Sequence, residues 1–194
     1  MILALDTSLA DLHVGLFSGD AVRVAEFHRS PEEGERGIYD AYLAQCVAGL
    51  LKEHDVSAND ISHIVLIIGP GSFTGLRIGL AFAKGLAFGS GAKIIPVTAH
   101  EAMLAQSGKI SDSAAILYPG YEKDAVYCAL AGDITNVRYM TTAEAELLYH
   151  ITISNCPIQL SALAQMAVNG SKLPADIATL EPFYGTDFKA TVSV

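Results

Sequence analysis

Three glycines in the stretch Gly69-Pro70-Gly71-Ser72-Phe73-Thr74-Gly75 stand between an apolar run and a helical one. At a strand-to-helix junction, backbone N–H groups and the helix dipole can hold a phosphate. The two phosphate patterns with a defined mechanism do not fit here. A P-loop ends in Gly-Lys-Ser/Thr, which occurs nowhere in the chain. The dinucleotide fingerprint needs glycine at position 74, where this chain has Thr74, and it follows a first strand rather than a later one. Ser72 suits an N-cap, in a context unlike a nucleophile elbow. Asp6 is the second candidate, because it closes the first apolar run and is followed by Thr7 and Ser8. Two roles are open to Asp6 and Thr7: binding a nucleotide, or hydrogen bonding within their own turn.

The remaining reactive side chains form no familiar pattern. The six histidines are His13, His28, His54, His63, His100 and His150, and no two lie three to five residues apart. With no His-x-x-x-His pair, no metal site and no metal-dependent peptidase chemistry are expected, and each histidine is expected at or near the surface. The three cysteines, Cys46, Cys128 and Cys156, are far apart and form no Cys-x-x-Cys, so buried free thiols in a reducing compartment are expected. The chain carries 21 acidic residues against 12 Lys and Arg, a net charge of −9, and its basic residues form no run. A surface that gripped a nucleic-acid backbone by itself would carry a basic patch. Any contact with RNA or DNA is therefore expected only within a larger complex.

The elements that must position these residues read as an α/β protein. Ile2 to Asp6 is a continuous apolar run, as for a strand buried on both faces, and not a signal peptide, so a cytoplasmic protein is expected. Leu12 to Phe17 and Ala21 to His28 follow around a turn at Ser18-Gly19-Asp20. Then come a helix from Ile38 to His54, a strand from Ile61 to Ile68, a helix from Phe73 to Phe88 and a strand from Lys93 to Val97. Thr98-x-x-Glu101 opens a helix to Gln106. The order strand, strand, strand, helix, strand, helix then recurs. Its members are Ala114–Tyr118, Ala125–Ala131, Ile134–Met140, a helix from Thr141-x-x-Glu144 to Tyr149, Ile151–Ile153 and a helix from Pro157 to about Asn169. Two lobes follow, 1–108 and 109–194, the second shortened.

Gly71, Gly75, Gly79, Ala83 and Ala87 recur every four residues and form one stripe of almost absent side chains. Gly75 and Gly79 each disfavour the helix by ~1 kcal/mol relative to Ala, so close packing on the stripe is the expected compensation. Another flank carries Phe73, Leu76, Leu80 and Phe88, with Arg77 and Lys84 seven apart. A helix this apolar all round, too short and interrupted to span a membrane, is either central to the fold or half of an interface.

The run from Gly69 through Gly75 to Leu76-Arg77-Ile78-Gly79 resembles the signature of the bacterial TsaB (YeaZ) family. Ile2-Leu3-Ala4-Leu5-Asp6-Thr7-Ser8, Ala83-Lys84-Gly85-Leu86-Ala87 and Glu181-Pro182-Phe183-Tyr184 are similar to its opening strand, its helix and its C-terminal ending. The resemblance is close over residues 1 to about 108. It implies an actin-like ATPase (ribonuclease H-like) fold and a non-catalytic role in making threonylcarbamoyladenosine beside the tRNA anticodon. The implied partners are a TsaD-like catalytic subunit, which holds the metal and transfers the threonylcarbamoyl group, and a TsaE-like ATPase. A homodimer is implied as well. The interface would fall on the helices from Ile38 and Phe73, with Tyr42, Cys46, Phe73, Leu76, Arg77, Leu80 and Lys84 as its residues. No cofactor is implied, save ATP or ADP at a subunit junction. The chain departs from the family at Gly34-Glu35-Arg36-Gly37, where a His-Ser pair is usual. It departs again at Pro119-Gly120-Tyr121, where Asp-Ala-Arg is usual. The rival expectations are an autonomous actin-fold phosphotransferase using Asp6, and a homodimeric scaffold outside the tRNA pathway.

Overall fold

The computed structural model describes residues 1–30, 38–154 and 157–185; the side chains of 38–41 are not among those described. The departure at Gly34–Gly37 and Cys156 therefore lie outside the described residues. The first apolar run forms strand β1 (Ile2–Asp6), joined by β2 (Leu12–Phe17) and β3 (Arg23–Arg29). Helix α1 (Ile38–Glu53), β4 (His63–Gly69), α2 (Phe73–Ser90), β5 (Lys93–Thr98) and α3 (Ala99–Ser107) complete the first half. These strands make one five-stranded sheet in the order β3-β2-β1-β4-β5. β1–β2 and β2–β3 are antiparallel, while β1–β4 and β4–β5 are parallel.

The second half builds β6 (Ala115–Pro119), β7 (Ala125–Leu130), β8 (Asp133–Thr141), α4 (Thr142–Leu148), β9 (Thr152–Ile153) and α5 (Leu160–Val168). Its four-stranded sheet runs β8-β7-β6-β9, with antiparallel and parallel pairings in the same places as in the first. The doubled element order is thus a doubled topology, and the second sheet lacks the counterpart of β5. Threonine caps at Thr98 and Thr141 form the expected boxes with Glu101 and Glu144. A third box, Ser57 with Asp60, caps a 3₁₀ turn over Ala58–Asp60 that periodicity did not reveal. Pro157 does not start α5, which begins at Leu160. Gln106 of α3 holds the intervening loop extended: its amide donates to the Pro157 carbonyl at 2.9 Å and accepts from the Gln159 N–H at 3.0 Å.

Because β1 alternates its side chains, it feeds two cores. Leu3 and Leu5 join Leu43, Val47 and Leu50 of α1 and Leu80, Ala83 and Ala87 of α2. Ile2 and Ala4 join Met103 of α3, Leu160 and Leu163 of α5, and Ile116 and Tyr127 of the second sheet. The helices α3 and α5 thus weld the two sheets together. Cys128 is buried and Cys46 half-buried, both as free thiols, and burial pushes both thiols above their ordinary range. No helix among the described residues is long and apolar enough to cross a membrane.

Candidate functional site

The strand β4 runs through Gly69 into the loop that launches α2. Gly69 and Gly71 adopt φ of +125° and +153°, a region L side chains rarely enter, which explains why glycine stands there. Ser72 caps α2 by accepting the Gly75 N–H at 3.1 Å. The small-residue stripe then packs on the turn after β1. A Cβ on Gly71 would overlap the Ser8 carbonyl oxygen, one on Gly75 the Thr7 carbonyl oxygen, and one on Gly79 the Thr7 hydroxyl. The Thr7 hydroxyl donates to the Gly75 carbonyl at 2.8 Å, and the Ser72 N–H donates to the Ser8 carbonyl at 2.6 Å. The glycines thus let a helix lock onto the β1 turn.

The turn's other polar groups face inward. Asp6 accepts from the Ser8 N–H at 2.9 Å and from the Ser8 hydroxyl, which also meets the Tyr118 hydroxyl at 2.6 Å. Burial pushes the Asp6 carboxyl above the usual carboxylate range, against the opposing pull of the Ser8 bonds. Thr7 is fully buried. Asp6 still edges a cleft of about 270 Å³ that Leu9, Leu117, Tyr118 and Ile158 also line. In the second half, the corresponding hairpin turn after Pro119 is filled by Tyr121 stacked on Tyr139, with ring centroids 4.8 Å apart.

The C-terminal segment is tied to the same loop. The Phe183 N–H donates to the Ile68 carbonyl at 2.8 Å, and a Cβ on Gly69 would overlap the Phe183 carbonyl oxygen. Tyr184 stacks on Phe73 with ring centroids 5.3 Å apart and accepts from Arg77 Nε at 3.0 Å. The Arg77 guanidinium in turn lies 4.0 Å from the Phe73 ring centre. The motif loop, the start of α2 and the Glu181–Tyr184 ending therefore form one unit, which the sequence presents as separate signals.

Of the residues expected at an interface, Leu76 and Leu80 are misassigned. They are 1% and 6% exposed, packed in the chain's own core, and offer a partner little surface. Phe73 and Arg77 are exposed at the start of α2, Lys84 is half-buried, and Tyr42 and Cys46 are half-buried on α1 with the Arg29 guanidinium 3.8 Å over the Tyr42 ring. The outward faces are made of other residues: Ala44, Ala48 and Gly49 on α1, and Ala81, Gly85, Phe88 and Gly89 on α2. Phe88 is 90% exposed, and no atom lies near where a Cβ on Gly49, Gly85 or Gly89 would stand. Ala81, Gly85 and Gly89 repeat the four-residue spacing of the inner stripe on the opposite flank, which only its period relative to the buried stripe could have revealed.

Two histidine expectations also change. His100 is fully buried; its Nε2 donates to the Tyr127 carbonyl at 3.0 Å, and its Nδ1 has no partner among the described residues. Burial keeps the ring neutral by lowering its basicity. His13 and His28, fifteen residues apart in sequence, are brought directly opposite each other on β2 and β3.

The family model of TsaD, tRNA N6-adenosine threonylcarbamoyltransferase, matches residues 33–185. The chain belongs to the TsaB/TsaD family. Relatives of both kinds are similar to it. The tRNA threonylcarbamoyladenosine biosynthesis protein TsaB of Bacillus subtilis (strain 168) is 36% identical over 104 residues, covering 54% of this chain and 43% of that protein. TsaB of Escherichia coli (strain K12) is 36% identical over 97 residues, covering 50% and 39%. The tRNA N6-adenosine threonylcarbamoyltransferase of Streptococcus suis (strain 05ZYH33) is 30% identical over 149 residues, covering 69% and 44%. The match to these TsaB/TsaD proteins spans less than half of their own length. In fold, YeaZ from Pseudomonas aeruginosa superposes with a TM-score of 0.65 at 19% identity, covering 94% of this chain and 98% of that one.

Proposed function

We propose that this member of the TsaB/TsaD family is a TsaB-type accessory subunit in tRNA threonylcarbamoyladenosine synthesis. It pairs with a TsaD-like catalytic subunit through the outward faces of α1 and α2, and a TsaE-like ATPase completes the assembly. It meets tRNA only within that complex, and any ATP or ADP belongs to a subunit junction. The observation that carries this reading is the second stripe. Ala81, Gly85 and Gly89, beside Ala44, Ala48 and Gly49, leave two helix backbones bare to solvent. Exposed glycine in a helix costs ~1 kcal/mol at each position and has no packing role inside the monomer. A partner helix approaching the bare backbone supplies that role. The closure of the β1 turn by α2 supports a non-catalytic part, since it occupies the groups an actin-fold phosphotransferase would use.

Co-expression with the TsaD-type protein of the same source, followed by size exclusion at micromolar concentration, tests the pairing. One shared peak is expected. Two separate peaks would sink it, and a dimer of this chain that persists beside the TsaD-type protein would favour the scaffold instead.

A further inference from the structure

The register of the first sheet sets Asp6, His13 and His28 side by side across three neighbouring strands. Residues opposite each other in antiparallel strands share a face and bring their Cβ atoms within ~5.5 Å. Asp11, two residues before His13, falls on that face as well. The His13 and His28 rings meet edge to face with centroids 4.3 Å apart, and Asp11 Oδ2 lies 3.5 Å from His28 Nε2. One ligand atom from each of Asp11, His13 and His28 lies within 4.8 Å of the other two, and these residues form the one such group of three among the described residues.

We propose that Asp11, His13 and His28 bind a divalent ion of the zinc class, with an open coordination position toward the clefts beside them. Two imidazoles and one carboxylate are a ligand set for zinc, cobalt or nickel, whereas magnesium and calcium prefer oxygen donors throughout. Tetrahedral zinc with bonds of about 2.0 Å holds its ligand atoms about 3.3 Å apart. The group must therefore contract by on the order of 1 Å, a change that rotamer adjustment supplies. The side chains of His28 and Asp11 are 53% and 42% exposed and have the freedom to make it. Glu26 also lines the wider depression here, of about 630 Å³, but Arg23 pairs with it at 3.4 Å, which leaves Asp11 as the carboxylate of the set. Asp11 and His13 line both this depression and the cleft edged by Asp6. The fourth position thus opens toward solvent, where a water or an anionic oxygen completes the tetrahedron.

Without metal the same three groups make a carboxylate–imidazole contact at the surface and a ring contact, interactions worth little to stability. The metal therefore separates the two roles. The untagged chain, stripped of metal, is titrated with Zn²⁺ by calorimetry and with Co²⁺ by visible absorption. One equivalent of Zn²⁺ and intense tetrahedral Co²⁺ bands are expected, with a Zn²⁺-dependent rise in Tm. His28→Gln and Asp11→Asn alter half-exposed side chains, so both fold; each is expected to weaken Zn²⁺ binding by about 100-fold or more. His150→Ala, on an exposed residue elsewhere, should leave binding unchanged. The proposal is overturned if the wild-type chain shows no Co²⁺ bands, or if His28→Gln and Asp11→Asn bind Zn²⁺ as the wild type does.

Discussion

Two glycines of one helix should respond to the same substitution with opposite signs. Gly85 faces solvent with no atom near a would-be Cβ, so Gly85→Ala recovers the helix propensity lost to glycine and stabilises the monomer by ~1 kcal/mol. Gly75→Ala gains the same amount but drives its Cβ into the Thr7 carbonyl oxygen, 3.2 Å from the carbonyl carbon, where backbone rather than a flexible side chain must yield. Overpacking of this kind costs typically ~1–3 kcal/mol, and more where it moves a backbone. The Thr7 hydroxyl bond to the Gly75 carbonyl is strained as well, worth about 1 kcal/mol. The net loss is about 2 kcal/mol, so the two variants differ by about 3 kcal/mol. For a chain of this size each kcal/mol moves Tm by roughly 2–4 °C, which separates them by about 6–12 °C. Thermal unfolding followed by circular dichroism reads this directly. Equal Tm values would refute the argument that the inner stripe is filled by the β1 turn and the outer one is empty.

Other outcomes follow from the same contacts. Leu80→Glu, which buries a charge among Leu43, Val47 and Leu66 in the core under α1 and α2, should cost roughly 3–5 kcal/mol; a soluble folded monomer by circular dichroism would contradict its burial. Tyr184→Ala removes the stack on Phe73 and the bond from Arg77, about 1–2 kcal/mol of local support. Faster hydrogen exchange at the Phe183 amide, with little change in global unfolding, is expected; unchanged protection would show that Tyr184 does not help tie the C-terminal segment to the Gly69 loop. His100 is held neutral by burial, so below the ordinary value of 6.5 the unfolded chain binds a proton that the folded chain does not. Stability should therefore fall as pH drops from 6.5, by up to ~1.4 kcal/mol per pH unit, and a His100→Gln variant should lose that dependence in urea unfolding.

The sequence carries the fold further than it carries the site. Strands such as Ile2–Asp6 and helices opened by Thr98 and Thr141 are written in local apolar runs and capping boxes, and the structure keeps all three. Pro157 misled because its loop is held by Gln106, a residue from another helix that no local pattern announces. The inner glycine stripe was legible as a close-packing face, yet which neighbour it meets depends on where β1 ends in space. Leu76 and Leu80 show the complementary failure. Periodicity groups apolar residues on a flank but does not say which flank faces the sheet, and here the burial of Leu3, Leu5 and Leu66 decides it. His13 and His28 become neighbours only once the turn at Ser18–Asp20 fixes the register of β2 on β3.

The central claim, that this chain assists a catalytic partner without performing the transfer, is tested most directly by reconstitution. The TsaD-type and TsaE-type proteins of the same source, tRNA and the threonylcarbamoyl adenylate are assayed for threonylcarbamoyladenosine, with and without this chain and with a Gly85→Glu variant. Product formation that requires the wild-type chain, falls with Gly85→Glu and is absent when this chain is the sole protein is the predicted result. Product from this chain alone, or equal product whether it is present or not, would contradict the account.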